Sequence, residues 1–219
     1  MAAPQRNYQK EQELLLRRLE GEGRVPRLLL HACCAPCSSA VLERLAPHFS
    51  LSILYYNPNI SPEGEFVKRA EELKRLLSQM EFPHPVELLP LSYRGEDFQQ
   101  AAQGLEGEPE GGARCLKCYR LRLEEAARAA RDGGFDYFTT TLSISPLKNA
   151  KALNEIGEEL GRQYGVAHLP ADFKKKEGYK RSILLSREYG LYRQDYCGCV
   201  YSRLERERQK QQGKKGEED

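Results

Sequence analysis

The chain has little net charge, no long apolar run, no internal repeat and no glycine-rich phosphate loop. Its 34 Lys and Arg stand against 32 Asp and Glu, a formal +2 over 219 residues. No global field therefore marks a nucleic-acid binder, and any such role rests on local clusters. No stretch approaches the roughly 20 apolar residues that span a bilayer, and the opening residues do not read as a signal segment. Together with cysteine usage suited to a reducing interior, this makes a cytoplasmic protein without membrane partners the expectation. Where a phosphate-gripping run such as Ser-Gly-Gly-x-Asp-Ser would follow the first strand, His31-Ala-Cys-Cys-Ala-Pro-Cys37 stands instead, which argues against ATP use. At this length one core is expected. The expected divisions are an N-terminal helix in 1–24, one catalytic α/β domain with a metal site over 25–203, and a charged tail, 204–219, disordered at its end.

What is present is thiol. Six of the seven cysteines form three close pairs, Cys33–Cys34, Cys115–Cys118 and Cys197–Cys199, with Cys37 just after the first. Such pairs converge several thiolates on one centre from separate loops. A secreted disulfide framework fits poorly with the chain's length and its opening. Structural zinc needs four thiolates and leaves three over, whereas an iron–sulfur cluster with further soft ligands uses more of them. Spacing alone separates the last two only modestly.

Hydrophobic patterning predicts an α/β fold. Asn7–Glu20 reads as an amphipathic helix. Short apolar strands are expected at Arg27–Ala32, Leu51–Tyr56, Val86–Leu91, Phe135–Thr141 and Gly165–Leu169. Helices should lie between them: one through Leu45, one from an N-cap at Ser61 with Pro62 in first place to about Met80, one from Cys115 to Arg131, and one over Lys148–Tyr164. The Cys115 helix should bury Leu116, Tyr119, Leu123, Ala126 or Ala127, and Ala130, leaving Cys115, Cys118 and Arg122 on an adjoining face. Alternation of this kind implies a Rossmann-like parallel sheet with helices on both faces. Ligands of such sheets sit at the carboxyl ends of the strands, which here carry His31 to Cys37, Tyr56-Asn-Pro-Asn59 and Thr139 to Ser145.

Several residues at those ends are candidates for chemistry. Cys33, Cys34 and Cys37 occupy a strand-to-helix turn that favours thiolates, and Gly198 permits the bend that lets Cys197 and Cys199 face one way. Asn57, Asn59, Thr140, Ser143 and Lys148 are candidate substrate contacts, set against a packing role for the threonines. Residues 172–181 hold five basic side chains against two acidic ones, including Lys174, Lys175 and Lys176. With Tyr179, Tyr189, Tyr192 and Arg193 nearby, the run is either a solvated face or a single-stranded RNA surface.

Taken in order, His31-Ala-Cys-Cys-Ala-Pro-Cys-Ser38, Tyr56-Asn-Pro-Asn-Ile60, Arg114-Cys-Leu-Lys-Cys-Tyr-Arg-Leu-Arg122, Thr139 to Asn149, and Asp172-Phe-Lys-Lys-Lys176 with Leu191 to Ser202 resemble the QueH type of epoxyqueuosine reductase. The resemblance spans about 28–203. It implies a fold akin to adenine-nucleotide α-hydrolases and the last step of queuosine synthesis. That step is a two-electron, cobalamin-independent reduction of epoxyqueuosine at the wobble position of tRNA, with an electron donor as partner. It also implies a [4Fe–4S] cluster and an additional iron ion. Cys33, Cys34, Cys115, Cys118, Cys197 and Cys199 match the family's metal-site cysteines, and Cys37 stands where the ligand type differs among members. Tyr196, Asp195 and His31 are the candidate proton donors by adjacency. The competing reading is a zinc-stabilised RNA-binding module without redox activity.

Overall fold

The protein is described by a computed structural model covering residues 6–215, with side chains described for 6–212. The expected N-terminal segment and tail extend beyond these limits, and residues 1–5 and 216–219 lie outside the described residues. A parallel sheet is built from β1 (Arg27–His31), β2 (Ser50–Leu54), β3 (Val86–Leu88), β4 (Tyr137–Thr140) and β5 (Ala167–His168). Its spatial order is β3-β2-β1-β4-β5. Every pairing is parallel, with Leu30 opposite Ile53 on one side and Thr139 on the other.

β1 is central and covered on both faces, so its run of leucines carries no polar alternation: Leu28, Leu29 and Leu30 are all fully buried. Their period of two divides them between layers. Leu28 and Leu30 join Leu51 and Ile53 beneath α1 (Tyr8–Gly21), α2 (Ala35–Leu45), α3 (Glu63–Gln79) and α7 (Gly178–Glu188). Leu29 points the other way, with Phe138, to meet α5 (Ala113–Asp132) and α6 (Ala150–Tyr164). Removing each such leucine from water contributes about 1.5–3 kcal/mol.

Four elements depart from the patterning. α4 (Gly95–Ala102) and α7 were not legible as helices; α7 hides Ser182, Leu185 and Ser186 against α2 beneath a surface rich in Lys and Arg. Leu116, expected in the buried stripe of α5, is 40% exposed, because the first turn of that helix is covered on its Cys118 side, where Cys118 is 6% exposed. α3 begins at Glu63 with Pro62 as its cap, one residue later than expected, and no side chain makes the capping bond. The strand order reverses between β1 and β4, placing a crevice outside their carboxyl ends.

Candidate metal centre

The turn between β1 and α2 places three thiols together. Cys34 caps α2, its Sγ accepting from the Cys37 amide at 3.4 Å, and Pro36 sits in the first turn where its missing N–H leaves no gap. The Sγ atoms of Cys33, Cys34 and Cys37 all lie within 4.8 Å of one another, the Cys33–Cys34 pair at 3.8 Å. Thr141, just past β4, accepts from the Cys33 amide at 3.3 Å and donates to its sulfur at 3.5 Å. Hydrogen bonds from Cys34, then Cys37, and the charge of Arg122 hold the Cys33 thiol well below its ordinary value. The Cys33 sulfur in turn pushes Cys34 and Cys37 up. Three sulfurs this close, one of them inclined to lose its proton, are a donor set that fits a metal ion, whose binding releases the remaining protons.

The other four thiols approach from two elements. α5 presents Cys115 and Cys118 one turn apart, with Cys115 Sγ accepting from the Gly111 amide at 3.2 Å. Burial pushes Cys118 up to about 12, and Cys197, Cys199 and Cys115 lie close enough to add to it. Cys197 and Cys199 flank Gly198, whose φ of +116° is open to glycine and strained for other residues. Arg69 Nη1 holds the Cys197 carbonyl oxygen at 3.2 Å, and the Ser61 amide holds that of Gly198 at 3.0 Å. Among the described residues it is the Cys33, Cys34 and Cys37 sulfurs that close to within 4.8 Å; no three of these four do.

A cavity of about 530 Å³ opens at the switch point, lined by Cys33, Cys34, Cys37 and Cys197 together with Arg69, Arg122, Lys148, Arg193, Asp195 and Tyr196. Three of its cations are almost wholly buried. Lys148 pairs with Glu110 at 2.8 Å and Arg69 with Glu65 at 2.7 Å, while Arg122 reaches, among the described residues, only the Cys118 carbonyl oxygen, at 3.3 Å. Burial opposes the charge of Lys148, but Cys197, Tyr119 and Glu110 hold it charged. Arg69 is the wall residue that sequence reasoning missed. Its signal is the spacing Phe66, Arg69, Ala70, Leu73, Leu76, which sets a guanidinium in an apolar stripe.

The remaining candidates fall into two groups. Asp195, Tyr196, Lys148 and Arg193 line the cavity. His31, Asn57, Asn59, Thr140 and Ser143 do not; all five are buried at the strand ends around it. Asn57 Nδ2 donates to the Ala32 carbonyl oxygen at 2.8 Å, Ser143 Oγ accepts from the Phe173 amide at 3.2 Å, and Asn59 is 1% exposed. The basic run lies outside the cavity wall: Lys174 pairs with Asp172 at 2.7 Å and Lys176 with Glu13 at 3.6 Å, while Lys175 is exposed.

His31 Nε2 lies 2.9 Å from the Tyr56 carbonyl oxygen, which can only accept, so Nε2 carries the proton and Nδ1 accepts from Thr140 at 2.8 Å. Burial lowers its pKa from 6.5 to about 4. The unfolded chain therefore takes up this proton first. The contribution of His31 to stability is full above pH 6.5 and is lost as the pH falls from 6.5 toward about 4. Nitrogen NMR of the ring is expected to show a neutral Nε2–H imidazole across that window; a folded-state titration near 6.5 would contradict it.

A family model described as "Epoxyqueuosine reductase QueH" matches residues 28–205. The chain belongs to the QueH family. All seven cysteines fall within the matched residues. Among curated members, the Epoxyqueuosine reductase QueH of Staphylococcus epidermidis is 40% identical over 202 residues, covering 90% of this chain and 85% of that protein. That of Streptococcus pyogenes is 39% identical over 198 residues, covering 90% and 78%, and that of Thermotoga maritima 35% over 182 residues, covering 82% and 91%. The QueH match ends at 205, so most of α8 (Val200–Lys215) lies beyond it, although Arg206 and Gln209 of that helix line the cavity. No helix among the described residues is long and apolar enough to cross a membrane.

Proposed function

We propose that this chain is an epoxyqueuosine reductase, as its relatives are named, acting on the modified base in tRNA. Two electrons and two protons convert the epoxycyclopentanediol to the cyclopentenediol; both C–O bonds of the epoxide break and its oxygen leaves as water. A one-electron donor outside the chain supplies the electrons. The observation that carries the reading is a cavity at the switch point lined by four free cysteines from two segments, Cys33, Cys34, Cys37 and Cys197, in a chain of this family.

The cysteines are proposed to hold a [4Fe–4S] cluster and an additional iron: about four thiolates suit the cluster and the remainder the iron. When bound, such a centre delivers electrons singly and offers an open iron position that polarises the epoxide oxygen. Zinc has no redox chemistry, and a zinc-stabilised RNA-binding module would leave the thiols that face the cavity without a task.

The chain's own residues divide the remaining work. Of the three proton-donor candidates, His31 is neutral, bonded at both nitrogens and outside the wall. Asp195 is held ionised, chiefly by its bond with Lys210 and then Arg206. Tyr196 lines the cavity, its ring centroid 5.1 Å from the Arg69 guanidinium, and is the assigned donor to the departing oxygen. Lys148 and Arg193 bring positive charge to the wall where polyanionic RNA enters, and Lys175 extends it on the surface. Asn57, Asn59, Thr140 and Ser143 are assigned to bracing the loops that carry these groups.

The test is conversion of epoxyqueuosine in tRNA by protein reconstituted anaerobically with iron and sulfide, given a low-potential reductant and no cobalamin, with nucleosides read by mass spectrometry. Tyr196→Phe should keep the brown colour of the loaded protein while losing about 10²–10⁴-fold in kcat. Fully loaded protein that leaves the epoxide untouched would overturn the reading.

A further inference from the structure

Arg122 is a buried charge that meets no carboxylate among the described residues. It is 1% exposed, its Nε donates to the Cys118 carbonyl oxygen at 3.3 Å, and its Nη2 is buried without a partner. Arg69 and Lys148, the other buried cations of the wall, each have an acidic partner. An unpaired cation in a desolvated site is strongly disfavoured, so a native chain that keeps one has a counter-charge for it. Arg122 shares the cavity wall with Cys33 of the β1–α2 turn and Cys197 of the Cys-Gly-Cys loop, and its bond to the Cys118 carbonyl ties it to α5, so it stands where all three cysteine segments meet.

We propose that Arg122 is the internal counter-ion of the cysteine centre, a positioning residue whose permanent charge and free Nη2 serve the sulfurs and raise the reduction potential of the iron–sulfur group they hold. This rests on the cofactor reading above. Reduction adds negative charge to the centre, and a fixed cation at short range in a low-dielectric site stabilises the reduced state more than the oxidised one. A guanidinium remains charged at every working pH, so the effect does not titrate away. Epoxide reduction then draws on a centre that a modest electron donor can reduce.

The experiment compares reduction potentials of anaerobically loaded wild type, Arg122→Met and Arg122→Lys, followed by the optical and spin-resonance signals of the centre. Methionine keeps the length and apolar stem without the charge, and its reduction equilibrium constant should fall tenfold or more, 59 mV for one electron. Lysine keeps the charge and should stay within about threefold of wild type, a smaller step on the same scale. A methionine variant that loads with the wild-type potential overturns the proposal; one that fails to load while the lysine variant loads normally supports it. Should both variants fail to fold, wild type labelled with nitrogen-15 arginine decides: a nitrogen coupling in the spin-echo spectrum of the reduced centre is expected, and its absence refutes the assignment. Wild type that takes up no iron–sulfur group at all would instead overturn the cofactor reading itself, a distinct outcome.

Discussion

Serine at Cys33 or at Cys118 is expected to lower conversion of epoxyqueuosine by more than the roughly 10–100-fold typical of losing an outer-sphere partner of a metal site. Cys33 is the sulfur whose charge the fold already favours, through Cys34, Cys37 and Arg122. Cys118 is the buried member of the α5 pair, pushed up to about 12, so in the free protein it keeps its proton until a metal displaces it. Both replacements put a hard hydroxyl where a soft ligand is needed. Because the sulfurs form one close group of three and a looser group of four, the seven single serine variants should separate into two classes by iron-to-sulfide ratio. One class should lose the cluster spectrum, and the other should keep it while losing one iron and the activity. A uniform ratio of about one in every cluster-bearing variant, wild type included, would leave a single cluster and no second iron.

Alanine at Gly198 is expected to disable the centre without touching a sulfur. At φ +116° a side chain is strained, and a Cβ there would stand 3.0 Å from both Arg69 Nη1 and Ile60 Cγ1. The backbone strain is about 1–3 kcal/mol, and relaxing it pulls the Cys197 carbonyl off Arg69 and turns Cys197 and Cys199 apart. At about 1.4 kcal/mol per tenfold, iron retained under limiting supply should fall by roughly 5- to 140-fold. Gly64 on α3 is the control: nothing lies within 4 Å of its added Cβ, and Gly64→Ala should leave iron uptake unchanged while stabilising the helix by about 0.5–1 kcal/mol. Gly198→Ala protein that binds iron as wild type does would show that the bend is not needed.

Much of this protein is legible one segment at a time. The leucine run of β1, the capped helix α6 and the amphipathic α5 declare an α/β sheet, because strand and helix periods are local properties of the chain. α7 is hidden from pattern reading because Leu185 is its one large buried apolar residue, beside small Gly178, Ser182 and Ser186, while the adjacent Leu184 faces solvent. Leu116 was misplaced for a related reason: periodicity gives the direction of a side chain, and only the neighbours decide whether that direction is covered.

The residue types and spacings by themselves determined the chemistry on offer: three thiol pairs, a glycine between two of those sulfurs, and motifs shared with the QueH family. Only the tertiary structure decided which sulfurs meet, that His31 is buried between Thr140 and Tyr56 while Tyr196 lines the cavity, and that Lys174 and Lys176 are matched by acids while Arg122, among the described residues, is not. The physical reason is range. Ligand type and backbone bend are carried by a few neighbouring residues, whereas desolvation and charge pairing at Arg122 are set by groups from Cys33 to Cys197, brought together only when the sheet closes and its helices pack.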